Sequence, residues 1–383
     1  MIEANLSSMH QRTDACAGLS GERWVDVAQD RIRSAITSRT VLNLEGAGTR
    51  GDFGGPLRGE PLSAAGYRGI VEYDPGDLVV TVRAGTPLDE LDAELARHGQ
   101  MLGFEPPRRA GSTIGGAVAL GWSGPRRPFA GALRDHLIGA RLLDGRARVL
   151  RFGGKVVKNV AGFDVARLMG GSLGILGLLL DVSLRVVPRP MVERTTVVVT
   201  APEAALQTMQ RLAVGPGLLS AASYVDGQLY LRSSGSDDCV AEFLARHVGT
   251  ELSPSDAQVF WQAFNNQTLA FFQATAGLRL WRVSVNSDAP HAWPQFPTAI
   301  DWAGALRWVM APPAAGAEIA AWARVHGGHA SLWAHATGAE RAQGVFTELS
   351  PPLRRIHREL SDIFDPHRVF NRARMYPSLE KAA

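Results

Sequence analysis

Cysteine is nearly missing from this 383-residue chain, which has two, Cys16 and Cys239. They stand far apart and form no CxxC pair. They cannot ligate an iron–sulfur cluster, which takes about four ligands, and they make no disulfide framework. A reducing cytoplasmic setting is the expectation. Lysine is scarcer still for its class: of 40 basic residues only Lys155, Lys158 and Lys381 are lysines. Net charge is +3 with no long basic block. The short PRRP at 125–128 and RR at 354–355 do not make a nucleic-acid surface. The longest strongly apolar run, LMGGSLGILGLLL at 168–180, has 13 residues, short of the roughly 20 that span a bilayer. The N-terminal stretch MIEANLSSMHQRTD lacks a basic region followed by an apolar core, so no secretory signal is expected. Any membrane association would be indirect, through partners.

What is present is apolar bulk and glycine. Hydrophobic residues make up 45% of the chain and 41 residues are glycine, enough for two to three domains at about 150 residues each. The segment VLNLEGAGTRGDFGG (41–55) follows an apolar strand pattern and contains a literal G-x-G-x-x-G at Gly46, Gly48 and Gly51. With Glu72 about 20 positions further on, that is the spacing of a dinucleotide-binding βαβ unit. Such a unit needs a helix opening at the second or third glycine, because the helix N-terminus holds the pyrophosphate. Here DFGGPLRG follows, and its glycines and proline cannot sustain a helix. The NAD reading fails on that requirement. What remains is a loop whose backbone N–H groups can form an anion nest, with a second glycine-rich segment, GSTIGGAVALGWSG (111–124), to add close backbone approach.

Hairpin signals surround DPGD (74–77) and Asp144-Gly145. A helix is predicted after TP at 86–87, with Thr86 as N-cap, Pro87 at N1, Leu88, Leu91 and Leu95 as its apolar stripe, and Gly99 at its end. EPPRRAGSTIGGAVALGWSGPRRPFAG (105–131) is too rich in Gly and Pro to be one regular element. The best boundary is PRP at 188–190. Beyond it lie seven of the nine tryptophans and strand candidates RTTVVVTA, GQLYLRSSG, LRLWRVSV and GALRWVMA, alternating with helical stretches. A final helix, SPPLRRIHRELSDIF, leads into DPHRVFNRARMYP. Trp261, Trp293 and Trp302 are the tryptophans to check for exposure.

Two glycine loops separated by DLVVTVRAGTP and a helix resemble the FAD-binding domain of the vanillyl-alcohol oxidase superfamily. The ordered string PPRRAGSTIGGAVALGWSGPRRPFAGALRDHLIGARLLDG, GGKVVKNVAGFDVARLMGGSLGILG, LWRVSV, ALRWVM, GGHASLW and IFDPHRVFNRARMYP narrows this: the chain resembles the FAD-binding subunits of glycolate oxidase. The match is strong over 40–190, patchy to 377, and gives nothing for the first 35 residues. It implies an α+β fold, with a PCMH-type FAD-binding domain of two α+β subdomains (1–190), a smaller α+β cap domain (191–345), and a C-terminal helix and tail (346–383) returning to the FAD domain.

Carried over by position, Gly46, Gly48, Thr49 and Gly51 would form the pyrophosphate loop. Ser112, Thr113, Gly115 and Gly116 would lie along the flavin and phosphates. Gly121, Ser123 and Gly124, with Arg127 and Arg134, would continue that wall. Gly174, Ile175 and Gly177 would pack near the cofactor, Lys158 and Asn159 match the family's Lys-Asn pair, and Asn371 would approach from the tail. Phe163 stands where many relatives have tyrosine, Ile175 where threonine is common, and Arg372-Ala373 where Pro-Gly is usual. No histidine or cysteine sits in an attachment motif, so FAD would be held non-covalently.

The resemblance further implies a complex with a second FAD-linked subunit and an iron–sulfur subunit, acting on glycolate or a similar 2-hydroxy acid. Two alternatives stay open, a self-sufficient FAD-dependent 2-hydroxy-acid dehydrogenase and a non-catalytic FAD-binding assembly subunit. No catalytic residue is assigned. Related dehydrogenases carry an HGDGN-like run, and the nearest counterpart here, HGGHASLW, lacks its acid and asparagine. The isolated chain is therefore expected to oxidise glycolate poorly. Arg279, Arg282 and Arg307 fall on candidate cap strands without a recognisable histidine beside them. His326, His329 and His335 have no acidic residue among them, and no metal site is expected.

Overall fold

The computed structural model describes residues 21–379 apart from 155–163, 216, 247, 248 and 274. Lys155, Lys158, Asn159, Phe163, Cys16 and Lys381 thus lie outside the described residues. Helix α1 (Gly21–Ser38) occupies part of the N-terminal segment for which the family resemblance gives nothing. Its Trp24, Ala28, Ile32 and Ala35 recur every three or four residues and are buried, sealing a core with Leu42, Leu62 and Phe370. Strand β1 (Leu42–Glu45) pairs in parallel with β2 (Glu60–Ser63). The C-terminal tail returns to β1: Leu42 N–H donates to the Val369 carbonyl at 2.7 Å, and Asn371 N–H to the Leu42 carbonyl at 3.0 Å.

Strands β3 (Ile70–Asp74), β4 (Val79–Arg83), β5 (Leu137–Leu143), β6 (Val149–Gly153) and β7 (Leu178–Arg185) form an antiparallel sheet in the order β3-β4-β7-β5-β6. Both expected hairpins are present, the first turning on Asp74, whose Oδ1 accepts from Gly76 and Asp77 N–H. The second is not a tight Asp-Gly turn. Its longer loop closes on Asp144, whose carboxylate accepts from the backbone of Arg146 and Arg148 and from the Arg148 side chain.

Helix α2 (Leu88–Arg97) buries Leu88, Leu91 and Leu95, but Thr86 does not cap it. Its hydroxyl instead accepts from Gly69 N–H and donates to the Arg83 carbonyl, tying the strand end down, and the helix starts one residue later, after Pro87. The second glycine segment also departs from expectation. It contains helix α3 (Ile114–Leu120), capped by Thr113, whose Oγ1 accepts from Gly116 N–H. The reason lies in packing: a Cβ on Gly115 would stand 2.7 Å from the Ala84 carbonyl, so glycine lets this helix settle on the end of β4.

Eight further strands, β8 (Val192–Val199), β9 (Leu219–Val225), β10 (Gln228–Gly235), β11 (Thr250–Glu251), β12 (Arg279–Ser284), β13 (Thr298–Asp301), β14 (Leu306–Ala311) and β15 (His329–Ala334), form a second antiparallel sheet. Its order is β11-β8-β10-β9-β13-β14-β12-β15. Side-chain alternation divides its faces. Ala222, Val309 and Ala311 meet helices α4 (Pro202–Ala213) and α6 (Gly316–Val325). Ala221, Trp308 and Met310 face helix α5 (Pro254–Asn266) together with Trp122 and Leu173 of the first half. Trp261, Trp293 and Trp302 are all buried core residues. Helix α7 (Pro351–Phe364) precedes the returning tail.

A buried ionic cluster clasps the two halves. Glu105 receives Arg126 Nε at 3.1 Å and Arg232 Nη2 at 2.8 Å, and Glu193 receives Arg126 Nη2 at 2.5 Å. Burial alone would raise Glu105, but Arg232 and Arg126 outweigh it and hold the carboxyl below the ordinary glutamate value.

Candidate functional site

A cleft of about 970 Å³, counting its open mouth, runs between the loop after β1 and the start of α3. Gly46, Gly48, Thr49 and Gly51 line one side, and Ser112, Thr113, Gly115 and Gly116 the other; Gly174, Gly177 and Asn371 close the floor. Eleven of the sequence-predicted residues therefore converge on one cavity. The two loops touch: Thr49 and Ser112 hydroxyls lie 3.2 Å apart, and a Cβ on Gly46 would stand 2.2 Å from Thr113 Oγ1. No helix follows Gly51; residues 46–59 are turns and irregular chain. Among the described residues, the N–H groups of Ala47, Gly48, Thr49 and Arg50 meet no acceptor. The donors of the α3 first turn, by contrast, are used: Ile114 and Gly115 N–H donate to the Thr86 and Ala84 carbonyls.

Side chains hold the loop in shape from behind. Arg341 donates to the carbonyls of Gly51, Gly54 and Gly55 at 2.6–2.9 Å, and Arg374 donates to that of Gly55. Burial, reinforced by Arg341, lowers Arg374 to about 10. Arg109 pairs bidentately with Asp52 and donates to the Thr49 carbonyl at 2.8 Å. Asn371, at φ +38°, accepts from Leu44 N–H at 2.6 Å and donates to the Leu173 carbonyl at 2.6 Å. It staples the tail and the 173–177 turn to β1, and a Cβ on Gly174 would run into its amide.

Arg50 and Arg374, which line this cleft, and Arg341 behind its loop escaped the sequence reading. Arg50 lines it with a buried Nη2 that has no partner, and its guanidinium lies 4.9 Å from the Trp122 ring. Burial, then Arg109, lowers it to about 10. An unpaired buried donor beside four unsatisfied N–H groups is a site for an anion. The apolar walls Leu57, Leu120, Leu173 and Leu178 suit a flat ring system.

Gly121, Ser123, Gly124, Arg127, Arg134 and Ile175 do not line this cleft. Gly121 ends α3 in the left-handed region against Gly171. Arg134 is exposed, and Ile175 packs on the main core. Ser123 and Gly124 line a second pocket, of about 350 Å³ counting its open mouth, between the two halves. Arg127 stacks 4.1 Å over Trp302, whose indole N–H donates to the Gly124 carbonyl at 3.0 Å. Asp301 also lines that pocket. Its carboxyl accepts from Ser223 Oγ and Trp302 N–H, yet burial prevails and raises it to about 7. Of the histidines at 326–335, His329 is exposed and the other two serve packing. His326 lies on Trp322 and bonds its carbonyl, and His335 bonds the Phe272 carbonyl. Among the described residues no cluster of His, Cys, Asp or Glu is arranged to hold a metal, and no helix is long and apolar enough to cross a membrane.

Residues 26–153 match the FAD binding domain family. The chain is 39% identical over 351 residues to the glycolate oxidase subunit GlcE of Escherichia coli, spanning 91% of this chain and 97% of that one. It is 32% identical to the glycolate oxidase subunit GlcD of Bacillus subtilis, but over only 33% of this chain and 27% of that one. D-lactate dehydrogenase [cytochrome] 1 of Saccharomyces cerevisiae matches at 30% over 34% of this chain and 22% of its own length. Among solved structures, alkyldihydroxyacetonephosphate synthase superposes with a TM-score of 0.60 at 14% identity, covering 89% of this chain and 74% of that one. That likeness is one of fold.

Proposed function

The chain belongs to the family of the glycolate oxidase subunit GlcE, and on that premise we propose that it is the FAD-carrying subunit of a complex oxidising glycolate or a similar 2-hydroxy acid. The observation that carries this reading is full-length similarity combined with a cleft whose unsatisfied donors, Ala47 to Arg50, suit a pyrophosphate. In this reading those N–H groups and Arg50 take the charge of the diphosphate, Ser112 and Thr113 line its other side, and Leu57, Leu120 and Leu173 exclude water from the ring. Lys158 and Asn159 remain proposed contacts. Bound FAD supplies the two-electron acceptor for turning CH–OH into C=O. Among the described residues none lining the cleft is histidine or cysteine, which favours non-covalent binding. The division into 1–190, 191–345 and 346–383 belongs to the same reading.

Any iron–sulfur cluster on the electron route belongs to a partner, since two cysteines cannot hold one. A second FAD-linked subunit and an iron–sulfur subunit would supply that route, at the inner face of the cell membrane. The test is reconstitution. The chain purified alone is expected to carry FAD and reduce a dye with glycolate only weakly, and adding the partner subunits should restore turnover. Full turnover by the lone chain would assign it as a self-sufficient dehydrogenase instead.

A further inference from the structure

A third cavity shares no lining residue with the cleft or the pocket between the halves. It is an open groove of about 1180 Å³ counting its mouth, and it follows the chain from the end of β7 to the start of β8. The first half supplies Leu78, Met101 and Phe129, and the connecting chain supplies Val187 and Met191. Met101 and Val187 are register partners in a short antiparallel ribbon, and Met191 is 88% exposed. Every charge among the described residues lining the groove is positive: Arg126, Arg185 and Arg189. Arg126 is neutralised by Glu105 and Glu193. The other two are not. Arg189 Nε donates to the Gln100 carbonyl at 3.1 Å; it acts at longer range on Asp92, a carboxylate already held by Arg108. Among the described residues the Arg185 side chain has no hydrogen bond or ion pair, and its Nε is buried without an acceptor.

We propose that this groove is a protein-docking site, and that it takes an acidic segment with apolar side chains from a partner subunit. Charge complementarity carries the choice of occupant: Arg185 and Arg189 lack the carboxylates that an acidic segment brings. The apolar walls call for side chains alongside those charges, and an exposed, flexible methionine adapts its shape to them. A small anion would leave these walls wet, and the groove exceeds the roughly 1000 Å³ at which small-molecule pockets end. A bilayer fits less well, since a membrane-binding face projects its apolar residues, whereas this surface is concave. Met191 and Gly235 belong to the far side of the crossing, so a seated partner would touch both halves and the chain that joins them. The identity of the partner, a subunit of the oxidising complex, rests on the proposed function.

The test is calorimetric titration of the intact FAD-loaded chain with the second FAD-linked subunit and the iron–sulfur subunit. Wild-type affinity should fall several-fold as salt is raised, because the contact is partly ionic. Arg185→Glu should weaken it at least about 10-fold by setting like charges together, while Arg185→Lys should retain most of it. Met191→Glu should weaken it by about 10-fold as well, through a lost apolar anchor. Its side chain is almost fully exposed, so this variant keeps the test open if an Arg185 variant does not fold. FAD content and thermal midpoint should stay at wild-type values in all three. Val325→Glu, at an equally bare apolar position on helix α6 (81% exposed), should bind as the wild type does. Unchanged affinity in both Arg185→Glu and Met191→Glu would overturn the proposal. So would a wild-type homodimer that Met191→Glu dissociates, or binding to vesicles rich in phosphatidylglycerol that Arg185→Glu abolishes while the complex persists. A complex that ignores these substitutions removes this inference alone; a wild-type chain that joins neither subunit removes the proposed complex and this inference with it.

Discussion

The two cavities are built from opposite materials. The cleft proposed for FAD is made of main chain: its glycines are there because a side chain would collide, at 2.2 Å for Gly46 against Thr113, or because the backbone is left-handed, as at Gly48 with φ +68°, and most of its donors are backbone N–H groups. The pocket between the halves is made of side chains drawn from distant positions, among them Trp122, Arg282, Asp301 and Trp333. A backbone site is written in one short run of sequence and fails when atoms are added. A side-chain site is scattered through the chain and fails when functional groups are removed.

The largest test of this contrast is Gly46→Val. It should abolish FAD retention, a loss of about 100-fold or more in affinity, because the added branch wedges the two loops apart. Fluorimetry of released flavin measures this, with circular dichroism checking that the fold persists. Next comes Glu105→Gln, which removes the carboxylate that joins Arg126 to Arg232. Breaking a buried pair from one side should cost about 3–5 kcal/mol in denaturant unfolding, and loosen the pocket between the halves more than the cleft.

Asp301 sharpens the contrast through pH. It faces Ser223 and the Trp302 N–H, with Arg232 and Glu105 nearby and Arg282 and Arg127 within electrostatic reach. Its folded value of about 7 lies above the ordinary aspartate value near 3.9. The unfolded chain therefore releases this proton first, and the carboxyl's contribution to stability declines as pH rises from about 4 to about 7, then levels. Asp301→Asn should flatten that decline, an effect on the order of 4 kcal/mol across the window. An unaltered profile would show that the carboxyl is ionised in the fold. The smallest expected effect could break the contrast. Arg341→Met removes the donor to three loop carbonyls and should cost about 2 kcal/mol of stability and several-fold in FAD affinity. If it matched Gly46→Val, the cleft would depend on side chains as much as the pocket does.

This difference also explains what the sequence disclosed. The strands and hairpins were legible from alternation and turn residues, and the cleft from two glycine runs in order. Helix α3 was not, because Gly115 and Gly116 lower helix propensity and the tertiary reason for them, contact with Ala84, is invisible locally. Thr86 carried a cap signal, but Gly69 and Arg83 competed successfully for its hydroxyl. Helix α1 had a usable signal in the spacing of Trp24, Ala28, Ile32 and Ala35. Arg50 sits inside the glycine motif yet resembles any loop arginine until its burial is known. Arg341 and Arg374 lie roughly 290 and 320 residues from the carbonyls they hold, and no local pattern records such a contact.

The central claim is that the backbone-built cleft holds FAD non-covalently, and flavin content of the purified wild-type chain tests it most directly. Acid precipitation of the yellow protein should release about one FAD per chain into the supernatant, leaving the denatured pellet colourless. A colourless preparation that takes up no added FAD, or flavin that stays fluorescent on the denatured polypeptide, would contradict it.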